Sequence, residues 1–315
     1  MSPECGIRIE FFGGAKVLVD GRPLAPFATA RAHDLFCYLV LNRNKFFRRE
    51  FLADLFWPDR EPTQGCGSLR TELWRIRAAF NKQRMPAGLI FAEAGQSVQF
   101  SCQAELSIDF ETFDGLLADG RQATRMDSLR AATAMYKGEL LAGIDDTWCI
   151  YHRELYRARY LSALEEMIDH ESCEAQWMQA IDLCIRFLIE DPFAEHIHCK
   201  LMNSYRRMGN RIGAMRQFQL YCQRLQQAFE IAPMPETIAL FDAIVREHAT
   251  VARGGERRPR RPATNTRARI SQALSRIRRD IEHATDAFEY SIAQLGTPAR
   301  DEQPPAQKSN TTPAS

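Results

Sequence analysis

Within the run Ser68-Leu69-Arg70-Thr71-Glu72-Leu73-Trp74-Arg75-Ile76-Arg77, three arginines and a threonine alternate with apolar residues at helical spacing. Leu69, Leu73, Ile76 and Phe80 fall at i, i+4, i+7 and i+11, which at about 100° per residue is one stripe facing a core. The opposite pole then carries Gly67, Thr71, Trp74 and Ala78, with Arg75 beside them and Arg70 and Arg77 on the flanks. Such a face suits a nucleic-acid groove. A guanidinium fork matches guanine O6 and N7, a threonine can meet a base edge or a thymine methyl, and flanking arginines reach phosphates. A merely solvated amphipathic helix would show the same periodicity, so the decision rests on where this helix sits in the chain.

Ahead of it, Ile7-Arg8-Ile9-Glu10-Phe11 and Lys16-Val17-Leu18-Val19-Asp20-Gly21-Arg22 alternate and break at Gly13-Gly14 and Asp20-Gly21, the pattern of strands with a turn. Thr29 to Asn42 and Arg48 to Phe56 are expected to be helices, the second stopping at Trp57-Pro58. The arginine-bearing helix is expected over Thr63 to Asn81. Gly65 and Gly67 each cost roughly 1 kcal/mol of helix propensity and favour a later start. Leu89 to Ser101 then predicts two strands turning at Gly95-Gln96, with Glu93 and no arginine. Strands, three helices and a hairpin are the layout of a winged helix.

Charge separates the rest. Lys plus Arg number 41 against 40 Asp plus Glu, a formal net charge of +1. Residues 1–100 carry +4, residues 101–250 carry −8 and residues 251–315 carry +5, so near-neutrality conceals a basic start, an acidic middle and a basic end. The middle has helical apolar spacing throughout, broken at Gly143, Asp191-Pro192, Gly209-Asn210 and Pro233-Met234-Pro235. Ala180-Ile181 recurs as Ala214-Met215 and Phe187 as Tyr221, both at an offset of 34 residues, the tetratricopeptide period. Beyond His248 comes a basic run containing Arg257, Arg258, Arg260 and Arg261, able to act as a phosphate-contacting arm or to remain a solvated linker. Ile270, Leu274, Ile277, Ile281, Ala284, Phe288, Ser291 and Leu295 then trace a heptad seam that could pair two chains or fold back, before a polar tail.

These residues carry a resemblance. Phe11-Phe12-Gly13-Gly14 with Asp20-Gly21-Arg22-Pro23-Leu24, the run Arg49-Glu50-Phe51-Leu52-Ala53-Asp54-Leu55-Phe56-Trp57-Pro58-Asp59, and Ser68 to Arg77 are similar to the OmpR/PhoB-type winged helix found in Streptomyces antibiotic regulatory proteins. Ile108-Asp109 with Phe113, Tyr136-Lys137-Gly138-Glu139-Leu140-Leu141 and Ala214-Met215-Arg216-Gln217-Phe218 resemble the bacterial transcriptional activation domain that follows in that family. The resemblance implies that the third helix enters the major groove, that the hairpin lies on the adjacent minor groove, and that the Trp57 indole N–H meets a phosphate, with Arg48, Arg49 and Ser68 adding contacts. It also implies direct repeats in promoter DNA as target, a homodimer on that DNA, and RNA polymerase as protein partner. Trp74 stands where the family usually has a small or polar residue, and could pack on a sugar, on a thymine methyl or on a neighbouring subunit.

Other chemistries have little support. No GxxxxGK[ST], HExxH or GxSxG run occurs, so an enzyme is not expected, nor a cofactor. Cys184, His196, His198 and Cys199 diverge around their helices, which argues against a metal site. The nine cysteines form no CxxC pair and read as reduced, mostly buried thiols; Cys66 is a small neutral residue rather than a redox thiol. With no long apolar run and no signal-peptide pattern, a cytoplasmic bacterial protein with no membrane association is expected. The expected fold is mainly α: a winged helix-turn-helix over 1–104, a tetratricopeptide-like all-α domain over 105–250, a basic linker over 251–264, a heptad helix over 265–296 and a tail over 297–315. The expected function is sequence-specific regulation of transcription, most readily activation. The rival is a tetratricopeptide-like protein-binding adaptor whose winged helix no longer binds DNA.

Overall fold

In a computed structural model of the chain, the described residues are 6–82, 91–94, 96–102, 105–121 and 123–253. The arginine arm (Arg257, Arg258, Arg260, Arg261), the heptad helix and the tail lie outside them.

The chain opens on β1 (Gly6–Glu10), β2 (Lys16–Val19) and β3 (Arg22–Pro23). Asp20 (φ +50°) and Gly21 (φ +74°) make the tight turn between β2 and β3, where two left-handed residues match the twist of a hairpin. Helices α1 (Ala30–Leu41), α2 (Arg49–Phe56) and α3 (Pro62–Asn81) follow, the short β4 (Phe47–Arg48) preceding α2. The wing is β5 (Phe91–Ala94) and β6 (Ser97–Phe100), and β4 pairs with β6 through Phe47 opposite Val98 and Arg48 opposite Ser97. The winged helix expected from the sequence is therefore present. Arg48 differs in detail: it lies in a strand of the wing sheet and only caps the second helix.

One strand was not legible in the sequence. Glu105–Ile108 (β7) pairs in parallel with β1, Gly6 opposite Glu105 and Ile9 opposite Ile108, so the first sheet runs β3-β2-β1-β7. Its four residues alternate too briefly to stand out from the helical pattern that follows.

Seven helices complete the described chain: α4 (Asp109–Ala118), α5 (Arg125–Met135), α6 (Thr147–Cys173), α7 (Trp177–Glu190), α8 (Glu195–Arg207), α9 (Arg211–Phe229) and α10 (Pro235–Arg253). The expected breaks at Gly143, Asp191-Pro192 and Gly209-Asn210 fall between helices, and Pro233-Met234 lead into α10, which Pro235 opens. Starting points of α7 and α9 are 34 residues apart, and the repeated positions Ala180, Ala214, Phe187 and Tyr221 are all buried. Small and aromatic residues recur there because each helical hairpin packs on the next through the same contacts.

Three motif segments quoted above meet at one junction. Asp109 Oδ2 accepts from the Phe11 and Phe12 N–H groups at 2.7 and 2.9 Å, and Oδ1 accepts from Phe110 N–H at 2.7 Å. Phe12 bridges to Leu140, and Gly13 N–H bonds the Glu139 carbonyl at 3.0 Å. Gly13 (φ +82°) and Gly138 (φ +150°) permit this approach, since a Cβ on Gly138 would lie 3.3 Å from the Gly13 Cα. Around them Phe12 packs on Phe113, Tyr136 and Tyr156 at ring separations of 5.2 to 5.7 Å. A second contact region sets Trp148 of α6 edge-on to Tyr38 of α1 at 5.3 Å and beside Phe56 of α2 at 6.4 Å. Arg43 pairs through two nitrogens with Glu111, and Arg31 with Asp146 at 3.2 Å. One hydrophobic core thus continues from Ile7 to Leu201.

Candidate nucleic-acid interface

Helix α3 begins at Pro62, a residue suited to the first helical position because its missing N–H has no partner there in any case. The late start that two glycines favoured does not occur. A Cβ on Gly65 would stand 3.2 Å from the Ala53 Cβ, so the missing side chain lets α2 and α3 close on each other, and this contact outweighs the propensity loss. Gly67 faces open space.

Leu69, Leu73, Ile76 and Phe80 are buried, as the stripe required. Opposite them Thr71 is exposed and Trp74 is 65% exposed, and Arg70 is exposed on the flank. Thr71 Oγ1 donates to the Gly67 carbonyl at 3.1 Å, which leaves its methyl and an oxygen lone pair for a partner. Ser68 is engaged by the protein itself: its hydroxyl donates to the Gln64 carbonyl at 3.0 Å and accepts from Arg60 Nη1 at 2.6 Å. Arg60, in the turn between α2 and α3, escaped the sequence reading because it belongs to neither helix pattern.

Arg75 is half-buried, and its Nη1 donates to Glu72 Oε1 at 2.5 Å. Glu72 is only 8% exposed, and its Oε2 accepts from Thr29 Oγ1 at 2.6 Å. Glu72 lies at the edge of the apolar stripe, and a glutamate three residues before an arginine is a recognisable helical pair. Arg77 is half-buried on the same helix.

Arg48 is exposed on β4, and Arg49 opens α2 with its N–H bonded to the Gln96 carbonyl at 2.9 Å, tying that helix start to the wing turn. Trp57 is half-buried at the end of α2, 6.0 Å from the Phe56 ring. The fold therefore gathers Arg70, Thr71, Trp74 and part of Arg75 on one helix face. It sets Arg48 and Arg49 apart from them where α2 meets the wing.

The helical region has surface features of another kind. Met178 and Ile212, equivalent at the 34-residue repeat, are 57% and 65% exposed, and α7 also exposes Ile185 and Ile189. His198, by contrast, is fully buried: its ring bonds the Pro192 carbonyl at 3.0 Å and Gln217 at 2.6 Å, and stacks on Tyr221 at 4.2 Å. Burial holds the imidazole below its ordinary range, so it sits neutral, donating to Pro192 and accepting from Gln217. His196 pairs with Glu165 at 3.4 Å and Cys199 bonds Thr237 Oγ1 at 3.2 Å, so His196, His198 and Cys199 engage different partners, and Cys184 is buried in the core. Among the described residues no group of three His, Cys, Asp or Glu could hold a metal, and no helix is long and apolar enough to cross a membrane. Burial pushes the Cys184 thiol up to about 12, as befits a core residue.

Residues 108–245 match the family described as bacterial transcriptional activator domain. No curated protein matches the chain. Among solved structures, the chain is similar to Mycobacterium tuberculosis EmbR in complex with a low-affinity phosphopeptide, with 19% identity, a TM-score of 0.61 and coverage of 76% of this chain. It spans 65% of that structure's chain, and the two share a fold. Residues 108–245 thus match a bacterial transcriptional activator domain, and in this chain they follow a winged helix.

Proposed function

We propose that the protein binds promoter DNA sequence-specifically as a homodimer, with α3 in the major groove and the wing alongside, and that it recruits RNA polymerase through its helical domain. The observation that carries this reading is the exposed face of α3. Arg70, Thr71 and Trp74 project from a helix fixed by four buried residues on its other side, in a chain whose next domain belongs to transcriptional activators. Arg70 and Arg77 suit phosphates, Arg75 a guanine edge and Thr71 a base or thymine methyl. Arg48, Arg49 and Trp57 would hold the backbone beside the wing. Exposed Met178, Ile185, Ile189 and Ile212 give the helical domain an apolar surface for a protein.

The test is titration of the full chain with promoter duplexes at several salt concentrations. Specific binding with a steep negative slope of log K against log salt is expected, and absent or salt-insensitive binding would reject the reading in favour of the protein-binding adaptor. Arg75→Ala is expected to weaken the preferred site by about 1 to 3 kcal/mol while sparing random duplex.

A further inference from the structure

The carboxylate of Glu72 has a use that the DNA-facing arginines alone do not reveal. It lies inside the helix-turn-helix, nearly buried, and each oxygen has one partner: Oε2 takes the Thr29 hydroxyl at 2.6 Å and Oε1 takes Arg75 Nη1 at 2.5 Å. Thr29 is itself fixed. As N-cap of α1 its hydroxyl oxygen accepts from the Ala32 N–H at 3.1 Å, so its proton is directed at Glu72. A chain of three hydrogen bonds therefore runs from the backbone of α1 to the guanidinium of Arg75.

An arginine on a bare helix face keeps rotamer freedom that must be given up on docking. Arg75 has lost part of it beforehand, because one nitrogen is anchored to a buried acceptor that cannot itself move. The remaining donors of its fork stay available on the 34% of the side chain that is exposed. The same carboxylate also cancels much of the charge with which Arg75 would attract any phosphate.

We propose that Glu72, held by Thr29, is a positioning residue for base recognition. It orients Arg75 toward a single base pair and suppresses that arginine's indiscriminate attraction to DNA. The inference rests on the DNA-reading role of α3 proposed above.

The experiment uses the full chain and a duplex library. Selection with the unsubstituted protein defines the preferred site, and Arg75→Ala identifies the base pair at which Arg75 contributes preference. Glu72→Ala is then expected to lose about tenfold discrimination at that base pair although Arg75 is intact. It should also bind random duplex more tightly, with a salt slope steeper by up to about 0.9. Glu72→Gln, which keeps the volume and one acceptor, should recover most of the discrimination while keeping the raised affinity for random duplex. It also serves if the alanine variant folds poorly. A purely structural staple would lower both affinities together, and that result overturns the proposal. So does unchanged discrimination in Glu72→Ala when Arg75→Ala has lost it, an outcome that leaves the DNA reading standing. An unsubstituted protein with no sequence preference rejects the DNA reading and this proposal with it.

Discussion

Asp109 is the most heavily used single side chain in the junction, and replacing it gives a prediction with a worked magnitude. Its two oxygens receive three backbone N–H groups, from Phe11, Phe12 and Phe110, in a region where all three donors are buried. Asp109→Ala leaves Phe11 and Phe12 N–H without acceptors and removes the partner of a first-turn donor of α4. Each orphaned buried donor costs about 1 to 3 kcal/mol, offset in part because a charged group no longer has to be desolvated. A net loss of about 4 kcal/mol is expected, or a fall in Tm of roughly 8 to 16 °C at the 2 to 4 °C per kcal/mol of a domain this size. Asp109→Asn can turn its oxygen toward the Phe11 and Phe12 pair and sacrifices only the Phe110 bond, so it should cost about 1 to 3 kcal/mol. The assay is urea and thermal unfolding of the three proteins followed by tryptophan fluorescence. A loss below about 1 kcal/mol in Asp109→Ala, or an Asn variant as damaged as the Ala variant, would refute the accounting.

Three further outcomes are expected. His198 sits neutral because burial lowers its pKa; the unfolded chain therefore takes up a proton at higher pH than the folded one, and stability falls as pH drops through the ordinary imidazole range. Urea midpoints between pH 7.5 and 5.5 should fall less in His198→Gln than in the unsubstituted protein, and equal falls would remove the histidine from the account. Gly67→Ala, on a helix face with open space, should stabilise by about 0.5 to 1 kcal/mol, whereas Gly65→Ala should gain nothing because its methyl meets Ala53; thermal melts separate the two. For the dimer, sedimentation should give two chains per particle for the full chain and one for a chain ending at residue 262 if the heptad segment pairs two copies; the same number in both would discard that role.

How much of this was legible in the sequence depends on the range of the contact that decides each feature. The face of α3 was readable because Leu69, Leu73, Ile76 and Phe80 state their period within twelve residues. The helical repeat was readable for the same reason, each hairpin meeting mostly its neighbours. Strand β7 was not, since its partner β1 lies about a hundred residues earlier and four residues carry little pattern. The start of α3 was legible to within one residue, Pro62 against Thr63, whereas the later start that the glycines favour does not occur because the fit of Gly65 against Ala53 is a tertiary matter. Glu72 was passed over at the edge of the stripe, where only the distant Thr29 explains its burial. The motif segments around Phe12, Asp109 and Leu140 were visible, but not that they touch.

The parallel pairing of β1 with β7 bears on how the protein is made. The winged helix leaves the ribosome first, yet its sheet lacks a strand until residues 105–108 have emerged, and the edge of Phe12 lacks Leu140 for some thirty residues more. Domains fold during synthesis as their parts become available. Here the first sheet is complete only once the start of the following domain has been translated, so a chain terminated before residue 105 would release an incomplete winged helix. The order of synthesis alone thus couples completion of the winged helix to translation of the residues that follow it.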